Sequence, residues 1–277
     1  MMDDIILNAL KEDIGTGDHS TLSCVPETAQ GSAQLLVKEN GVLAGVEVAK
    51  RILFLFDPKL HMKQVLADGT AVKKGDIAFY LTGSSRSILT VERTLLNVMQ
   101  RMSGIATQTS EIVQSVSGCN VKILDTRKTT PGFRLFEKMA VKIGGGENHR
   151  FGLYDMIMLK DNHIDYAGGI EAAILATHQY IKSNVLNLKI EIEVRNRAEL
   201  DEVLRVGKVD RIMLDNFTPN QLFEALKIIP SSFETEASGG ITKENVLDYA
   251  KTGVNYISLG ALTHSAKSLD LSLKAVF

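Results

Sequence analysis

Cationic and polar side chains are concentrated directly after one apolar segment, 121–124, and again further along the chain. They are Thr126, Arg127, Lys128, His149 and Arg150. Arginine binds carboxylates and phosphates through two parallel hydrogen bonds, and lysine adds a compact positive charge. Because these cations follow a predicted buried strand and do not line a helix face, a solvated basic loop is the weaker interpretation. The cluster therefore predicts a pocket for an anionic substrate.

Two carboxylates lie at the ends of later apolar segments. Glu193 is near the end of one segment, and Asp215 directly follows the next. Carboxylates that face a protein interior are costly unless they are paired or bind a metal ion. Mg²⁺ commonly takes one or two carboxylates together with water and substrate phosphates. The two acids predict a Mg²⁺ site, and salt bridges to Lys160 and Arg127 are the alternative.

Lys160 follows another apolar segment, 156–159, and precedes Asp161 and His163. A desolvated lysine at this position could form a Schiff base with a carbonyl substrate. The adjacent acid and the other cations favour charge stabilisation instead. His163 and His149 are each interpreted either as a general acid or as a hydrogen-bonded core histidine.

Serine and glycine follow the last two predicted strands, at Ser238, Gly239, Gly240 and Gly260. Glycine lets backbone N–H groups approach a phosphate closely, and a helix that starts there adds a favourable dipole. Barrels of alternating strands and helices often bind phosphate in the loops after their last strands. These residues predict a phosphate site, with ordinary turns as the alternative.

Strand-like apolar segments alternate with helix-like segments through the second part of the chain. They span 121–124, 156–159, 188–194, 211–214, 233–237 and 254–259. This alternation predicts parallel strands joined by right-handed crossovers. The polar residues follow the strand ends, and strand ends converge on one face of a barrel. A barrel is therefore favoured over an open doubly wound sheet.

The N-terminal part has a different pattern. Short strand-like segments at 33–37, 41–45 and 78–81 accompany a predicted helix at 46–56. An apolar stripe predicts a further helix at 90–104. We interpret this part as a small mixed α/β domain.

Composition excludes several classes of protein. The 277 residues include 31 Lys and Arg against 33 Asp and Glu, a net charge of −2, which argues against a dedicated nucleic-acid binder. Cys24 and Cys119 are too few for a disulfide framework. No segment has the pattern of a signal peptide or the length of a membrane span. We therefore expect a cytoplasmic protein that binds neither nucleic acid nor membrane.

Short motifs are distributed over nearly the whole chain. They are EDIGTGD (12–18), ERT (92–94), DTRKTTPG (125–132), NHRFGLYD (148–155), LKDNH (159–163), EIEV (191–194), LDNF (214–217), ASGGI (237–241) and GALTHS (260–265). In this combination the sequence closely resembles the quinolinate phosphoribosyltransferase family, whose members are decarboxylating nicotinate-nucleotide pyrophosphorylases of NAD biosynthesis.

The resemblance implies a type II phosphoribosyltransferase fold of the α/β class. In that fold an N-terminal α/β sandwich domain, 1–104 joined by the tail 266–277, packs against an incomplete α/β (TIM-like) barrel, 105–265. It also implies a homodimer in which the N-terminal domain of one subunit covers the barrel mouth of the other. Assembly beyond a dimer stays open.

The resemblance also assigns residues to the site. Catalysis is assigned to Lys160, Glu193 and Asp215, and the two acids bind Mg²⁺, the implied cofactor. Substrate binding is assigned to Arg93, Thr126, Arg127, Lys128, His149, Arg150, Lys160, Ser238, Gly239, Gly240 and Gly260.

The two implied substrates meet different members of this set. The residues that hold the two carboxylates of quinolinate are Arg127, His149, Arg150 and Lys160. Arg93 reaches in from the neighbouring subunit. Lys128 and Lys160 meet phosphoribosyl pyrophosphate, and Ser238 with the glycines lines its 5′-phosphate.

The implied activity is that of a pentosyltransferase. It moves a phosphoribosyl group to the ring nitrogen of quinolinate, releases pyrophosphate and CO₂, and forms nicotinate mononucleotide. The alternatives are a molybdenum-transport-associated paralogue with a different acceptor, a nicotinate-using relative, and a non-catalytic barrel that binds phosphorylated sugars. The number of cations favours a dicarboxylate over nicotinate, and the run 152–155 favours quinolinate over the paralogue's acceptor.

Overall fold

The computed structural model describes residues 1–276. Its strands are β1 (Gln30–Val37), β2 (Gly41–Val42), β3 (His61–Gln64), β4 (Ala71–Val72), β5 (Ile77–Ser84), β6 (Lys122–Leu124), β7 (Ile157–Leu159), β8 (Ile190–Val194), β9 (Arg211–Asp215), β10 (Glu234–Ser238), β11 (Tyr256–Ser258) and β12 (Leu271–Val276). Its helices are α1 (Met2–Ile14), α2 (His19–Cys24), α3 (Val46–Phe56), α4 (Ser85–Ser115), α5 (Arg134–Ile143), α6 (Asp161–Ala167), α7 (Ile170–Ser183), α8 (Arg197–Val206), α9 (Pro219–Leu226), α10 (Val246–Ala250) and α11 (Ala261–His264).

The chain divides into two compact units. The first contains 1–111, 129–145 and the residues from 262 onward, and the second contains 112–128 and 146–261. The predicted domain limits at 104 and 265 stay a prediction. Among the described residues, every helix is too short or too polar to cross a lipid bilayer.

An antiparallel sheet forms the centre of the first unit, with the strand order β12-β1-β5-β3. In β1, Ala33, Leu35 and Val37 are buried and the residues between them are more exposed. This alternation arises because successive side chains of a strand point to opposite faces, and one face covers the core. The C-terminal β12 extends the sheet, with Leu273 opposite Leu35.

Two helices of the first unit can be compared with the helices predicted from apolar residues. Helix α3 has the predicted bounds, whereas the helix predicted at 90–104 extends in both directions to become α4. Gly104 does not end this helix. A side chain there would overlap the carbonyl oxygen of Lys267, so the glycine is explained by the close approach of another segment.

A sheet of parallel strands forms the second unit, in the order β6-β11-β10-β9-β8-β7. From β7 to β11 each strand lies beside the next strand of the chain. A doubly wound sheet reverses this direction part-way, so the order excludes that alternative. Strands β6 and β7 end the sheet, and the barrel is open between them. The predicted class, an incomplete α/β barrel with an N-terminal α/β domain, is confirmed.

Strand β8 shows how the barrel can hold charged groups. All five of its residues are buried, including Glu191 and Glu193. The two glutamates share one face of the strand, and Ile190, Ile192 and Val194 share the other. The strand thus presents carboxylates on one side and an apolar surface on the other.

Candidate active site

The predicted residues of the second unit lie at the carboxyl ends of its strands. Their positions are Thr126, Arg127 and Lys128 after β6, Lys160 after β7, Glu193 in β8, Asp215 ending β9, Ser238 ending β10, Gly239 and Gly240 after β10, and Gly260 after β11. His149 and Arg150 follow Glu147, which forms a parallel bridge with Leu124 of β6. Because parallel strands end at the same edge of a sheet, this edge is the candidate active site.

The segment after β6 is shaped by short hydrogen bonds. The Thr126 hydroxyl oxygen accepts the N–H of Lys128 at 3.0 Å, a local turn that serine and threonine often form. Asp125 is fully buried, and its carboxylate accepts the N–H of His149 at 2.9 Å. Together these bonds fix the cation-bearing segment and join it to the His149 segment.

Arg127 and Arg150 are partly buried cations of the second unit. Burial, followed by the charge of Arg127, lowers the pKa of the Arg150 guanidinium below its ordinary value. The Arg127 Nε is buried without a hydrogen-bond acceptor among residues 1–276. Arg150 donates through Nη1 to the carbonyl of Met156 at 3.1 Å. Two neighbouring guanidinium groups, one of which has a donor without an acceptor, are suited to an anion with more than one carboxylate.

Glu193 and Asp215 lie on adjacent strands, and Lys160 lies beside one of them. The Lys160 Nζ is 3.1 Å from Glu193 Oε2, and Glu193 is only 7% exposed. Burial, followed by the charge of Glu193, raises the pKa of Asp215. The predicted salt bridge to Lys160 is therefore present, and the two acids still repel each other. Clustered carboxylate oxygens with excess negative charge fit a hard divalent cation such as Mg²⁺.

Lys160 also caps the start of α6, and its backbone N–H donates to the Nδ1 of His163 at 3.0 Å. His163 thereby satisfies one of the N–H groups that a helix start leaves without a partner. The hydrogen bond agrees with the second interpretation, but His163 is exposed and is therefore not a core histidine.

The glycines after β10 have two different surroundings. Gly239 has φ 89°, and a side chain there would overlap the side chain of Asn216. Gly240 has φ 62°, and the space that a side chain would enter is open. The left-handed backbone favours glycine at both positions. At Gly239 the close contact with Asn216 is a second reason for glycine. At Gly240 the space beside the backbone is empty and leaves room for a ligand.

Four charged or titratable side chains, three of them buried and Arg211 partly buried, form a group of which only His149 was predicted from the sequence. We call His149, Glu191, Arg211 and Glu236 the ionic cluster. The His149 Nε2 lies 3.0 Å from Glu191 Oε2 and 3.5 Å from Glu236 Oε2. Arg211 Nη1 is 3.0 Å from Glu236 Oε2. Both glutamates are fully buried, and burial raises the pKa of each to about 7.

The two glutamates of the ionic cluster have a recognisable spacing in the sequence once the strand positions are known. Glu191 precedes Glu193 by two residues, and Glu236 precedes Ser238 by two. Since side chains repeat every second residue in a strand, each glutamate lies one layer further from the carboxyl end, on the face used by the candidate site.

Comparisons with known proteins identify the family. The sequence model of the quinolinate phosphoribosyl transferase N-terminal domain matches residues 18–103, and that of the C-terminal domain matches 105–274. The chain belongs to the quinolinate phosphoribosyltransferase family. Quinolinate phosphoribosyltransferase [decarboxylating] 1b of Nicotiana tabacum is 45% identical over 285 residues, covering 98% of this chain and 81% of the relative. The probable nicotinate-nucleotide pyrophosphorylase of Bacillus subtilis is 45% identical over 262 residues, covering 95% and 89%.

Solved structures agree with this quinolinate phosphoribosyltransferase fold. NadC from Streptococcus pyogenes superimposes with a TM-score of 0.93 at 40% identity, over 100% of this chain and 97% of that one. The nicotinate-nucleotide pyrophosphorylase from Francisella tularensis gives 0.92 at 38% identity, over 99% and 96%. These relatives do not favour the molybdenum-associated paralogue or the non-catalytic barrel.

One predicted site residue of this quinolinate phosphoribosyltransferase family member lies outside the second unit. Arg93 is exposed on α4. Its predicted role in the site of a neighbouring subunit stays a prediction.

The raised pKa of Glu236 predicts how stability depends on pH. A carboxyl group with a higher pKa in the folded state holds its proton more tightly there, so its stabilisation is complete below about pH 4.5 and is lost as pH rises through about 7. We expect the wild-type free energy of unfolding to fall across this window. Glu236→Gln should reduce that fall by about 3 kcal/mol at most, measured by urea unfolding at several pH values.

A matched control is Glu224→Gln, which alters an exposed pair with Lys227. The control should keep the wild-type pH slope. An unchanged slope in Glu236→Gln would contradict the raised pKa.

Proposed function

We propose that this chain is a decarboxylating quinolinate phosphoribosyltransferase of NAD biosynthesis. It transfers the phosphoribosyl group of phosphoribosyl pyrophosphate to the ring nitrogen of quinolinate. Pyrophosphate leaves, CO₂ is lost, and nicotinate mononucleotide is formed. The observation that carries the proposal is the pair of neighbouring guanidinium groups of Arg127 and Arg150, at the strand edge that also carries Glu193 and Asp215, with the Arg127 Nε lacking an acceptor.

Quinolinate binding follows from these guanidinium groups. Adjacent carboxylates on an aromatic ring need several donors and at least two positive charges, and each guanidinium can bind a carboxylate through two hydrogen bonds. Nicotinate has one carboxylate and would leave part of this charge unpaired. Quinolinate is therefore the acceptor that the proposed site fits better.

Glu193 and Asp215 are proposed to act on the ribose. As the bond to pyrophosphate breaks, positive charge develops on the sugar ring, and negative charge placed beforehand stabilises it. Lys160, beside Glu193, would neutralise the leaving pyrophosphate. The two acids would also hold Mg²⁺, which when bound screens the negative charge of the pyrophosphate.

The 5′-phosphate is proposed to lie against Ser238, Gly239, Gly240 and Gly260. Support comes from the open side of Gly240 and from the position of these residues after the last two strands. Lys128 and Thr126 would contribute from the segment after β6, where the Lys128 side chain is exposed.

Loss of CO₂ leaves an electron pair on the pyridine ring next to the newly alkylated nitrogen. The positive ring nitrogen stabilises this pair until a proton from water adds at the same carbon, which completes nicotinate mononucleotide. The cations that held the departing carboxylate, Arg127 and Arg150, add electrostatic stabilisation.

The function is tested by one incubation with quinolinate, phosphoribosyl pyrophosphate and Mg²⁺. Pyrophosphate, CO₂ and nicotinate mononucleotide should appear in equal amounts. A parallel reaction with nicotinate as acceptor should be much slower. Turnover of nicotinate at the same rate, or no turnover of either acceptor, would overturn the proposal.

We further propose a homodimer with shared active sites, in which Arg93 of each subunit completes the site of the other. Arg93→Ala and Arg127→Ala should each abolish most activity. Mixing them in equal amounts should restore about one quarter of wild-type activity, because half of the dimers are hybrids and each hybrid has one intact site. Failure to recover activity, with subunit exchange verified by mass spectrometry, would contradict the shared site.

A cytoplasmic location is also proposed. Cys24 and Cys119 are both free thiols, which is typical of a reducing compartment. Some plant relatives are named as mitochondrial or chloroplastic proteins. Fractionation of the source cells, with a compartment marker for each fraction, tests this location.

A further inference from the structure

Glu137 is a carboxylate to which the proposed reaction gives no role. It lies in the first turn of α5 and is fully buried. A buried carboxylate is costly unless a cation and hydrogen-bond donors surround it. The groups that surround Glu137 belong to α4 and to two chain segments. Each of these segments follows closely after a residue that is proposed to bind phosphoribosyl pyrophosphate.

The first segment is the turn 130–133, which begins two residues after Lys128. Its sequence is Thr-Pro-Gly-Phe, and Gly132 has φ 76°. The N–H of Phe133 donates to the carbonyl of Thr130 at 3.0 Å. Proline in the second position and a glycine with positive φ in the third are typical of a type II turn. The turn leads the chain into α5.

Glu137 holds the start of this turn through both of its carboxylate oxygens. Its Oε2 accepts the backbone N–H of Thr130 at 3.0 Å, and its Oε1 accepts the Thr130 hydroxyl at 2.9 Å. Thr130 itself is exposed, so water competes for both of these donors. Hydrogen bonds to a charged acceptor are stronger than those between neutral groups. The buried carboxylate thus fixes the backbone of a residue at the surface.

Arg101 of α4 is the cation that pairs with this carboxylate. Its Nε and Nη2 donate to Glu137 Oε1 at 3.1 and 2.8 Å. Its Nη1 donates to the carbonyl of Ala266 at 2.8 Å, and its Nη2 also donates to the carbonyl of Thr263. Thr263 follows Gly260 by three residues, and it begins the second segment. One ion pair therefore joins the two segments.

Arg127 and Lys128 are also held from the other end. Asp125 directly follows β6, and its carboxylate accepts the N–H of His149 at 2.9 Å. This bond does not involve Glu137. Lys128 is nearer to the turn than Arg127 is, so loss of the Glu137 bonds should loosen Lys128 more. Phosphoribosyl pyrophosphate, which Lys128 is proposed to meet, should then lose more affinity than quinolinate.

We propose that Glu137 is a positioning residue for phosphoribosyl pyrophosphate, an inference that rests on the proposed function. Glu137 fixes the turn 130–133 and, through Arg101, the segment 263–266. It thereby restricts the substrate-binding residues that precede each segment before the substrate arrives. A site that is ordered beforehand loses less freedom on binding, and its affinity is higher for that reason.

The first test changes only the hydroxyl that Glu137 accepts. Thr130→Val removes this hydroxyl at nearly constant volume and leaves the Arg101–Glu137 pair intact. We expect KM for phosphoribosyl pyrophosphate to rise about tenfold, the effect of one hydrogen bond to a charged group, with kcat within about twofold of wild type. Thr130→Ser keeps the hydroxyl and should restore both constants to within about threefold.

A matched control is Thr252→Val. Thr252 also donates its hydroxyl, to the carbonyl of Tyr249 at 2.6 Å, in a segment to which the proposed reaction gives no role. The control should change neither KM nor kcat. A role of Thr130 in stability alone would lower the free energy of unfolding and leave KM for both substrates unchanged.

The second test does not depend on activity. The Thr130 N–H should exchange slowly with solvent in the wild type, because Glu137 accepts it. Glu137→Gln replaces one accepting oxygen by an amide group, which cannot accept from Arg101 and Thr130 as the carboxylate does. Hydrogen exchange followed by NMR should then show the Thr130 N–H exchanging about tenfold faster. By calorimetry, affinity for phosphoribosyl pyrophosphate should fall about tenfold, and quinolinate affinity less than about threefold.

The outcomes separate this proposal from the proposed function. Wild-type affinity for phosphoribosyl pyrophosphate in both folded variants, equal losses for the two substrates, or a Thr130 N–H without protection in the wild type would overturn the positioning role alone. If Glu137→Gln does not fold, which thermal unfolding reveals, Thr130→Val decides, because it leaves the ion pair intact. Wild-type protein that binds no phosphoribosyl pyrophosphate would contradict the proposed function, and the positioning role would be overturned with it.

Discussion

Arg127→Ala should lower quinolinate affinity by about 100-fold and leave phosphoribosyl pyrophosphate binding unchanged, because a bidentate pair consists of two charge-assisted hydrogen bonds. Arg127 has a buried Nε with no acceptor among residues 1–276, so its donors are available to a ligand. Removing it also relieves its repulsion of Arg150, which reduces the loss somewhat. Calorimetry with each substrate alone measures the two affinities.

Two matched variants make this result specific. Arg127→Lys keeps the positive charge and loses the planar pair of donors, so its quinolinate affinity should fall between those of wild type and Arg127→Ala. Arg205→Ala removes an exposed arginine paired with Glu171 and should have no effect. Unchanged quinolinate affinity in Arg127→Ala would show that the dicarboxylate binds elsewhere.

The sequence was most informative where local pattern determines structure. The six predicted strand segments of the second unit each overlap one observed strand, from β6 to β11. The polar residues that follow those segments lie at one edge, because parallel strands must end together. The positions of Arg127, Lys160, Glu193 and Asp215 were therefore predictable before their distances were known.

Interactions between distant segments were not predictable in the same way. Arg211 and Glu236 are on neighbouring strands but 25 residues apart, and only the sheet register brings them together. Gly104 is a second example. The sequence pattern predicts that a helix ends there, and only the close approach of Lys267 explains the glycine inside the helix. The contacts of His149 depend on the direction of each ring nitrogen, which no spacing of residue types specifies.

The other large effect concerns the two acids proposed to act on the ribose. Glu193→Gln keeps the shape of the side chain and removes its charge. We expect kcat/KM to fall about 100- to 1,000-fold, the range for removing one group that stabilises transition-state charge. Quinolinate affinity should stay within about twofold, since the carboxylates of quinolinate meet other residues. Steady-state kinetics and calorimetry on the same preparation measure both.

Asp215 gives this prediction a pH signature. Its pKa is raised by burial and by the charge of Glu193, so activity that needs the ionised carboxylate should fall as pH drops through that raised value. Asp215→Asn should lower kcat/KM and remove this acidic limb. Glu193→Gln should move the limb to lower pH, because it removes the neighbouring negative charge. Glu224→Gln, at an exposed ion pair, should change neither kcat/KM nor the pH at which activity falls.

The double variant Glu193→Gln/Asp215→Asn decides whether the acids act together. If both stabilise the same developing charge, the combined loss in kcat/KM should be smaller than the product of the single losses. Losses that multiply would indicate two independent roles. Single variants that keep wild-type kcat/KM would remove these acids from the mechanism, because the charge on the ribose would then have to be stabilised by another group.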